Sequence, residues 1–144
     1  FYSSKYLIVV LWIAMAIDAW GVEVSFFTAQ VALKRAALGV WVAGFMLMFA
    51  GRFELGQSFR IGRPKEGTLL QRGGLFRFSR NPMYLGVFAT LLASVLRTLN
   101  PILLLLCAFV IAVHHRIVLA EEAHLREAFG EEYADYCLHV RRYL

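Results

Sequence analysis

The sequence predicts an all-α integral membrane protein of about four transmembrane helices, the last two forming a short helical hairpin that leads into a cytoplasmic C-terminal helical tail. Three observations predict it. Hydrophobic residues make up 60% of the chain and charged residues 17%, against about 45–50% and about 25% in soluble domains. The apolar residues are gathered into four runs separated by polar or glycine-rich stretches. The basic residues are unevenly divided about those runs. In a four-span chain, Lys5, Arg52, Arg60, Arg63, Lys65, Arg72, Arg77, Arg80, Arg116, Arg126, Arg141 and Arg142 share one side, and Lys34, Arg35 and Arg97 the other. The positive-inside rule puts the first side, with both termini, in the cytoplasm.

Each element follows from its residues. Tyr6 to Trp20 is apolar apart from Asp18, and the pattern runs on to Phe27, which predicts a first helix at about 5–27. Ala36 to Leu55 is the second, with Arg52 and Glu54 in its last turn. Pro82 suits the first turn of a helix, where its missing N–H costs nothing, so a third helix runs from Pro82 to about Leu96. Arg97-Thr98-Leu99-Asn100 is a turn, and Pro101 opens a fourth helix, apolar to Val113. A span needs roughly 20 apolar residues. The third and fourth runs are shorter, so they form a shallow hairpin or extend through semi-polar ends. Between the second and third helices, residues 56–80 contain five glycines and Pro64, which break any helix. Thr68-Leu69-Leu70 and Leu75-Phe76 make this connection too apolar for a free loop, and it is expected to fold over the membrane surface. The tail from Glu121 is helical, because Leu125, Phe129, Tyr133, Tyr136 and Val140 recur every three or four residues. Gly130 is the expected break.

A chain of 144 residues is one domain by length. It opens on Phe1 and not on methionine, which leaves room for a preceding helix, and no signal-peptide cleavage pattern follows the first apolar run. Cys107 and Cys137 stand in unlike settings, so neither a disulfide nor a thiol metal site is expected. The net charge of +5 flanks apolar spans. Membrane lipids are therefore the expected partner, and nucleic acid is not.

Two polar clusters carry the chemistry. Ser79-Arg80-Asn81-Pro82-Met83-Tyr84-Leu85-Gly86 stands at the mouth of the third helix. Arg80 can grip a carboxylate bidentately, the free N–H groups of the first turn attract anions, Tyr84 offers a ring and a hydroxyl, and Gly86 allows a ligand or another helix to come close. The bland alternative is an interfacial anchor, with Arg80 on headgroups and Tyr84 in the aromatic belt. The second cluster is Glu121-Glu122 with Arg126. A Glu122–Arg126 pair one turn apart is the plain structural reading, yet it leaves one glutamate unpaired beside a span, where ionisable groups usually have a use. Two carboxylates can hold an amine or a sulfonium by charge. Four histidines are too few for a histidine-rich metal site, although His115 and Glu122 fall two turns apart on one face. Asp18 and Glu23 line the bundle interior or the far interface; the sequence does not decide.

Gly74-Leu75-Phe76-Arg77-Phe78-Ser79-Arg80-Asn81-Pro82-Met83-Tyr84-Leu85-Gly86 resembles the Gly-x-aromatic-x-x-x-Arg-His-Pro-x-Tyr-x-Gly motif of the isoprenylcysteine carboxyl methyltransferase and phospholipid methyltransferase superfamily. Glu121-Glu122-Ala123-His124-Leu125, followed by Phe129-Gly130-Glu131-Glu132-Tyr133-Ala134-Asp135-Tyr136, is similar to its C-terminal signature. Leu55-Gly56-Gln57-Ser58-Phe59-Arg60 matches the stretch before the first motif. The resemblance covers about residues 50–144.

The resemblance implies a membrane enzyme that uses S-adenosylmethionine, with a pocket open to the cytoplasm and a lipophilic methyl acceptor entering from the bilayer. Carried over by motif, Arg80, Asn81, Tyr84, Gly86, Glu121 and Glu122 line the cofactor pocket. Asn81 stands where the family often has histidine, so that position cannot titrate near neutrality. Glu121 or Glu122 is then the base for acceptors that must lose a proton, and Arg126 or Arg116 is the group to hold an acidic acceptor. Prenylcysteine carboxylate, lipid amine and thiol all fit as acceptors. Twelve arginines against three lysines suit a bacterial or archaeal plasma membrane. Two other readings remain at this stage. One is a sterol-reductase-like, nicotinamide-dependent protein with a similar C-terminal module. The other is a non-catalytic membrane subunit of the same fold.

Overall fold

A computed structural model describes residues 2–55 and 69–144. Among them are four α-helices and no strand: α1 (Tyr2–Ala19), α2 (Val31–Leu55), α3 (Pro82–Thr98) and α4 (Pro101–His139), with a 3-10 turn at Gly74–Arg77. The stretch Gly56–Arg60 and Thr68, which entered the sequence reading, lie outside the described residues.

The first helix is shorter than its apolar run. Gly21 takes a left-handed backbone with φ of 99°, its N–H bonds Asp18 O, and Val22 N–H reaches Ile17 O. These two bonds close α1 in a Schellman motif, so the apolar residues up to Phe27 form a loop and not another turn. The second helix starts earlier than expected, at Val31, because Lys34 and Arg35 are accommodated in its first turns. Pro82 and Pro101 both sit at first-turn positions, as expected. Leu99 takes a left-handed φ of 42° between α3 and α4, and the Asn100 side chain caps α4 by accepting from Ile102 N and Leu103 N.

The tail is not a separate element. It continues α4 for 39 residues in all, with one non-helical residue inside, Gly130 at φ 51° and ψ −123°, the glycine marked as the break. At 1.5 Å per residue the helix runs about 58 Å, against about 30 Å of hydrocarbon. Roughly its first twenty residues are enough to fill a span, and Glu121 follows them. Val31–Leu55 and Pro101–His139 are long and apolar enough to cross a membrane, and Pro82–Thr98 is a shorter apolar helix.

The tightest helix pair is α2 with α3. A β-carbon on Gly86 would stand 2.6 Å from Gly44 O, and one on Gly44 would stand 2.8 Å from Gly86 O. The absent side chains of Gly44 and Gly86 permit this approach, and small residues are the usual means of joining apolar helices where burial from water gives no drive. Ile8, Leu11, Leu91, Val95, Leu103, Cys107 and Val110 join α1, α3 and α4 in one buried cluster. Inside it, Trp12 Nε1 donates to Thr90 Oγ1 at 2.9 Å, and the Ser94 and Thr98 hydroxyls bond back to carbonyls one turn earlier.

Asp18, undecided from sequence, is buried at the end of α1. It faces Arg97 Nε at 2.9 Å and Lys34 Nζ at 3.6 Å, while Arg97 also donates to Lys34 O. The ends of α1 and α3 therefore meet the start of α2. The other end of the bundle holds the start of α3 and the tail of α4.

Candidate functional site

The site is built at that second end, from three short pieces of chain. The first is the turn before α3. The Glu54 carboxylate, at the end of α2, accepts from Leu75 N at 2.6 Å, and Phe76 is buried with its carbonyl bonded by the Tyr136 hydroxyl. Arg72 pairs with Glu132. The described part of the long connection thus docks on the tail helix, and it delivers Ser79, Arg80 and Asn81 to the mouth of α3.

The second piece is Glu121-Glu122 on α4. Neighbouring residues on a helix point about 100° apart, and the two carboxylates divide accordingly. Glu122 turns inward, with its side chain 7% exposed. It accepts from Arg80 Nε and Nη2 at 3.2 Å, from Asn81 Nδ2 at 3.0 Å and from Arg142 Nε at 3.0 Å. Burial alone would raise its proton affinity. The bond from Arg142 and the charges of Arg80 and Arg142 outweigh burial and hold the carboxyl below its ordinary pKa. Glu121 turns toward α3, where Tyr84 donates its hydroxyl to Oε1 at 3.0 Å. Burial pushes the Glu121 carboxyl above its ordinary pKa, offset only in part by the Tyr84 bond. Its Oε2 has no hydrogen bond among the described residues.

The third piece, Val140 to Tyr143, had no place in the sequence reading of the site. It leaves α4 as a strap that crosses the start of α3. Arg80 N donates to Arg141 O at 2.9 Å. Ser79 Oγ and Asn81 Nδ2 both donate to Arg142 O. Arg142 reaches back to Glu122, with Nη2 at 2.9 Å from Oε2. Tyr143 packs its ring on Phe88 and its hydroxyl on His115 Nδ1 at 2.8 Å. No periodicity or motif links Arg142 to a residue twenty positions earlier, so only the fold reveals the contact.

The expected site residues sort into groups. Arg80, Asn81, Tyr84, Glu121 and Glu122 come together. Asn81 occupies the helix-cap position of α3 but does not cap it with its side chain; its amide serves Glu122 instead, a donor role that needs no titration. Gly86 does not join them. Its missing side chain admits the backbone of Gly44 and Met48 of α2, so the close approach it allows is to a helix. Arg126, expected in catalysis, is exposed and has no ion pair or hydrogen bond among the described residues, and Arg116 is exposed as well. The plain Glu122–Arg126 pair does not form, because Glu122 turns inward to Arg80 and Arg142. Among the described residues, no three of the metal-binding types stand close enough to hold an ion.

This donor set suits a zwitterionic ligand. It offers guanidinium N–H groups for an anion and an open carboxylate oxygen for a cation, both at the end of an apolar bundle. The family model for phospholipid methyltransferase matches residues 27–132, from the loop before α2 into the tail of α4. No curated protein matches the chain.

Proposed function

The chain belongs to the phospholipid methyltransferase family, a family of membrane methyltransferases, and from that premise we propose that it is an S-adenosylmethionine-dependent enzyme methylating a lipophilic amine. The observation that carries the proposal is the meeting of Arg80, Asn81 and Tyr84 with Glu121 and Glu122 at one end of an apolar bundle. In the proposed topology four helices cross the membrane, α3 and α4 as a hairpin, with this end in the cytoplasm. The acceptor reaches it from the bilayer.

The donor set fits S-adenosylmethionine, whose amino-acid end carries a carboxylate and an ammonium beside the sulfonium. The cofactor supplies an activated methyl group, so the protein needs no nucleophile of its own. What the protein supplies is alignment and exclusion of water. Glu122, gripped by three donors, holds the walls of the site and stays ionised. Glu121 has the open oxygen and the raised proton affinity. It is the group placed to take the proton that an alkylammonium acceptor must lose before its nitrogen can be methylated. Tyr84 orients it. Phe88, Tyr143 and His114 offer ring surfaces around Tyr84, an apolar approach for the acceptor.

Isothermal titration of the detergent-purified protein with S-adenosylhomocysteine, and separately with NADPH, tests the reading. Micromolar binding of the first and none of the second is expected. NADPH binding without S-adenosylhomocysteine binding would transfer the case to a reductase. No binding of either would leave a non-catalytic subunit.

A further inference from the structure

Around Glu122 positive charge is in surplus: Arg80 and Arg142 face that one carboxylate. The two arginines are not equivalent. Arg80 makes five hydrogen bonds, three to Glu122 and two to the carbonyls of Cys137 and Val140, and its side chain is 11% exposed. All three guanidinium nitrogens of Arg80 are thus engaged in a buried setting, which leaves it little for a ligand. Arg142 commits Nε and Nη2 to Glu122 Oε2. Its Nη1 has no bond among the described residues, and its side chain is 36% exposed. The position of Arg142 is fixed from behind, because its carbonyl takes bonds from Ser79 and Asn81 and the carbonyl before it takes one from Arg80 N.

From this geometry we propose that Arg142, and not Arg80, is the anion anchor of the site, and that it holds the carboxylate of the methyl donor's amino-acid end. The proposal rests on the methyltransferase reading. Glu122 holds one edge of the Arg142 guanidinium and leaves Nη1 to the ligand. Arg80 is a positioning residue, since it acts through Glu122 and through the strap it ties down. Arg142 lies beyond the stretch matched by the family model, which ends at residue 132.

The test compares two ligands on two proteins by titration calorimetry: S-adenosylhomocysteine and its carboxamide, on wild type and Arg142→Gln. A charged hydrogen bond of this kind corresponds to about a tenfold to hundredfold difference in affinity. Wild type should bind the acid more tightly than the amide by that factor, and the gap should close in Arg142→Gln, with the amide bound about equally by both proteins. A gap that persists in Arg142→Gln would show that another group holds the carboxylate and would overturn the proposal. So would equal weakening of both ligands, which is the mark of a purely structural Arg142. If wild type binds neither ligand, the methyltransferase reading fails, and that outcome is distinct from the others. Where Arg142→Gln elutes aggregated, Arg142→Lys replaces it; it keeps the charge but not the fork, and the gap should shrink without closing.

Discussion

Glu121 and Glu122 are adjacent, identical in chemistry and opposite in predicted consequence. Replacing Glu122 by glutamine removes the charge that faces Arg80 and Arg142. Breaking a buried ion pair from one side costs about 3–5 kcal/mol. Arg142 is partly exposed, so water screens its share, and the low end of that range, about 3 kcal/mol, is expected. For a chain of this size that corresponds to a fall of roughly 6–12 °C in melting temperature. Glutamine at 121 still accepts from Tyr84 and relieves a buried carboxylate, so Glu121→Gln should melt within about 2 °C of wild type on the same scale. Both variants are measured by tryptophan fluorescence on heating in one detergent. Equal melting of Glu122→Gln and wild type would refute the claim that this carboxylate ties the turn before α3 to the strap beyond α4. Equal loss in both variants would refute the division of labour between them.

Other outcomes follow from the same geometry. Because the native Glu122 carboxyl titrates below its ordinary value, the stability it confers is fully present above about pH 4.3, the unfolded value, and is lost as pH falls through the lower native one; acid melts should show this limb in wild type and not in Glu122→Gln. Glu121 is shifted the other way, so the rate with an amine acceptor should rise with pH through a value above the ordinary carboxylate range, and the limb should vanish in Glu121→Gln. Gly86→Ala puts a methyl group 2.6 Å from the Gly44 carbonyl and should cost about 1–3 kcal/mol in unfolding experiments, whereas Gly39→Ala meets nothing within 4 Å and should gain about 0.5–1 kcal/mol. Asp18→Asn breaks the clamp with Arg97 and Lys34 at the far end; it should lower the melting temperature and leave S-adenosylhomocysteine affinity within about twofold, because additivity holds for sites without shared partners.

Much of this was legible before any coordinates. Pro82 and Pro101 gave the starts of α3 and α4, Gly130 gave the kink, and the motifs singled out Arg80, Asn81, Tyr84, Glu121 and Glu122, which the fold brings together, because each is a local signal. What was not legible depends on contacts between distant segments. The end of α1 is decided by Gly21 and two backbone bonds, which an apolar run does not encode. Gly86 read as room for a ligand or a helix, and only the position of Gly44 on α2 decides for the helix. Arg126 read as a partner of Glu122 because it lies one turn on, yet two arginines from outside α4 outcompete it. Arg142 read as one more basic residue in the count of charges. A residue's partner twenty or forty positions away is set by how the helices cross, and no local pattern carries that.

The length of α4 sets where the polar cluster sits. Twenty residues at 1.5 Å each bring the helix from Pro101 to Glu121 in about 30 Å, the thickness of the hydrocarbon. If α4 spans the membrane from Pro101, as its length and apolar composition allow, the carboxylate pair falls at the boundary between tails and headgroups. Tyr84 lies in the first turn of α3, so its bond to Glu121 is at the same level, with the apolar helices on one side of it. Glu122, rotated away, takes its partners from the strap and the turn. One helix thus presents two adjacent carboxylates to two different sets of partners. On the proposed function, the polar methyl donor, with its carboxylate, would lie on the side of Glu122 and Arg142, and the acceptor, with its apolar body, on the side of Glu121 and Tyr84. Lengthening α4 by one residue before Glu121 would rotate the pair by about 100° and raise it by 1.5 Å. That insertion should abolish both the Tyr84 bond and the Glu122 cluster, with loss of S-adenosylhomocysteine binding, while an insertion after Gly130 should spare the Glu121–Tyr84 bond and displace the strap together with the docking of Arg72 and Phe76 on the tail.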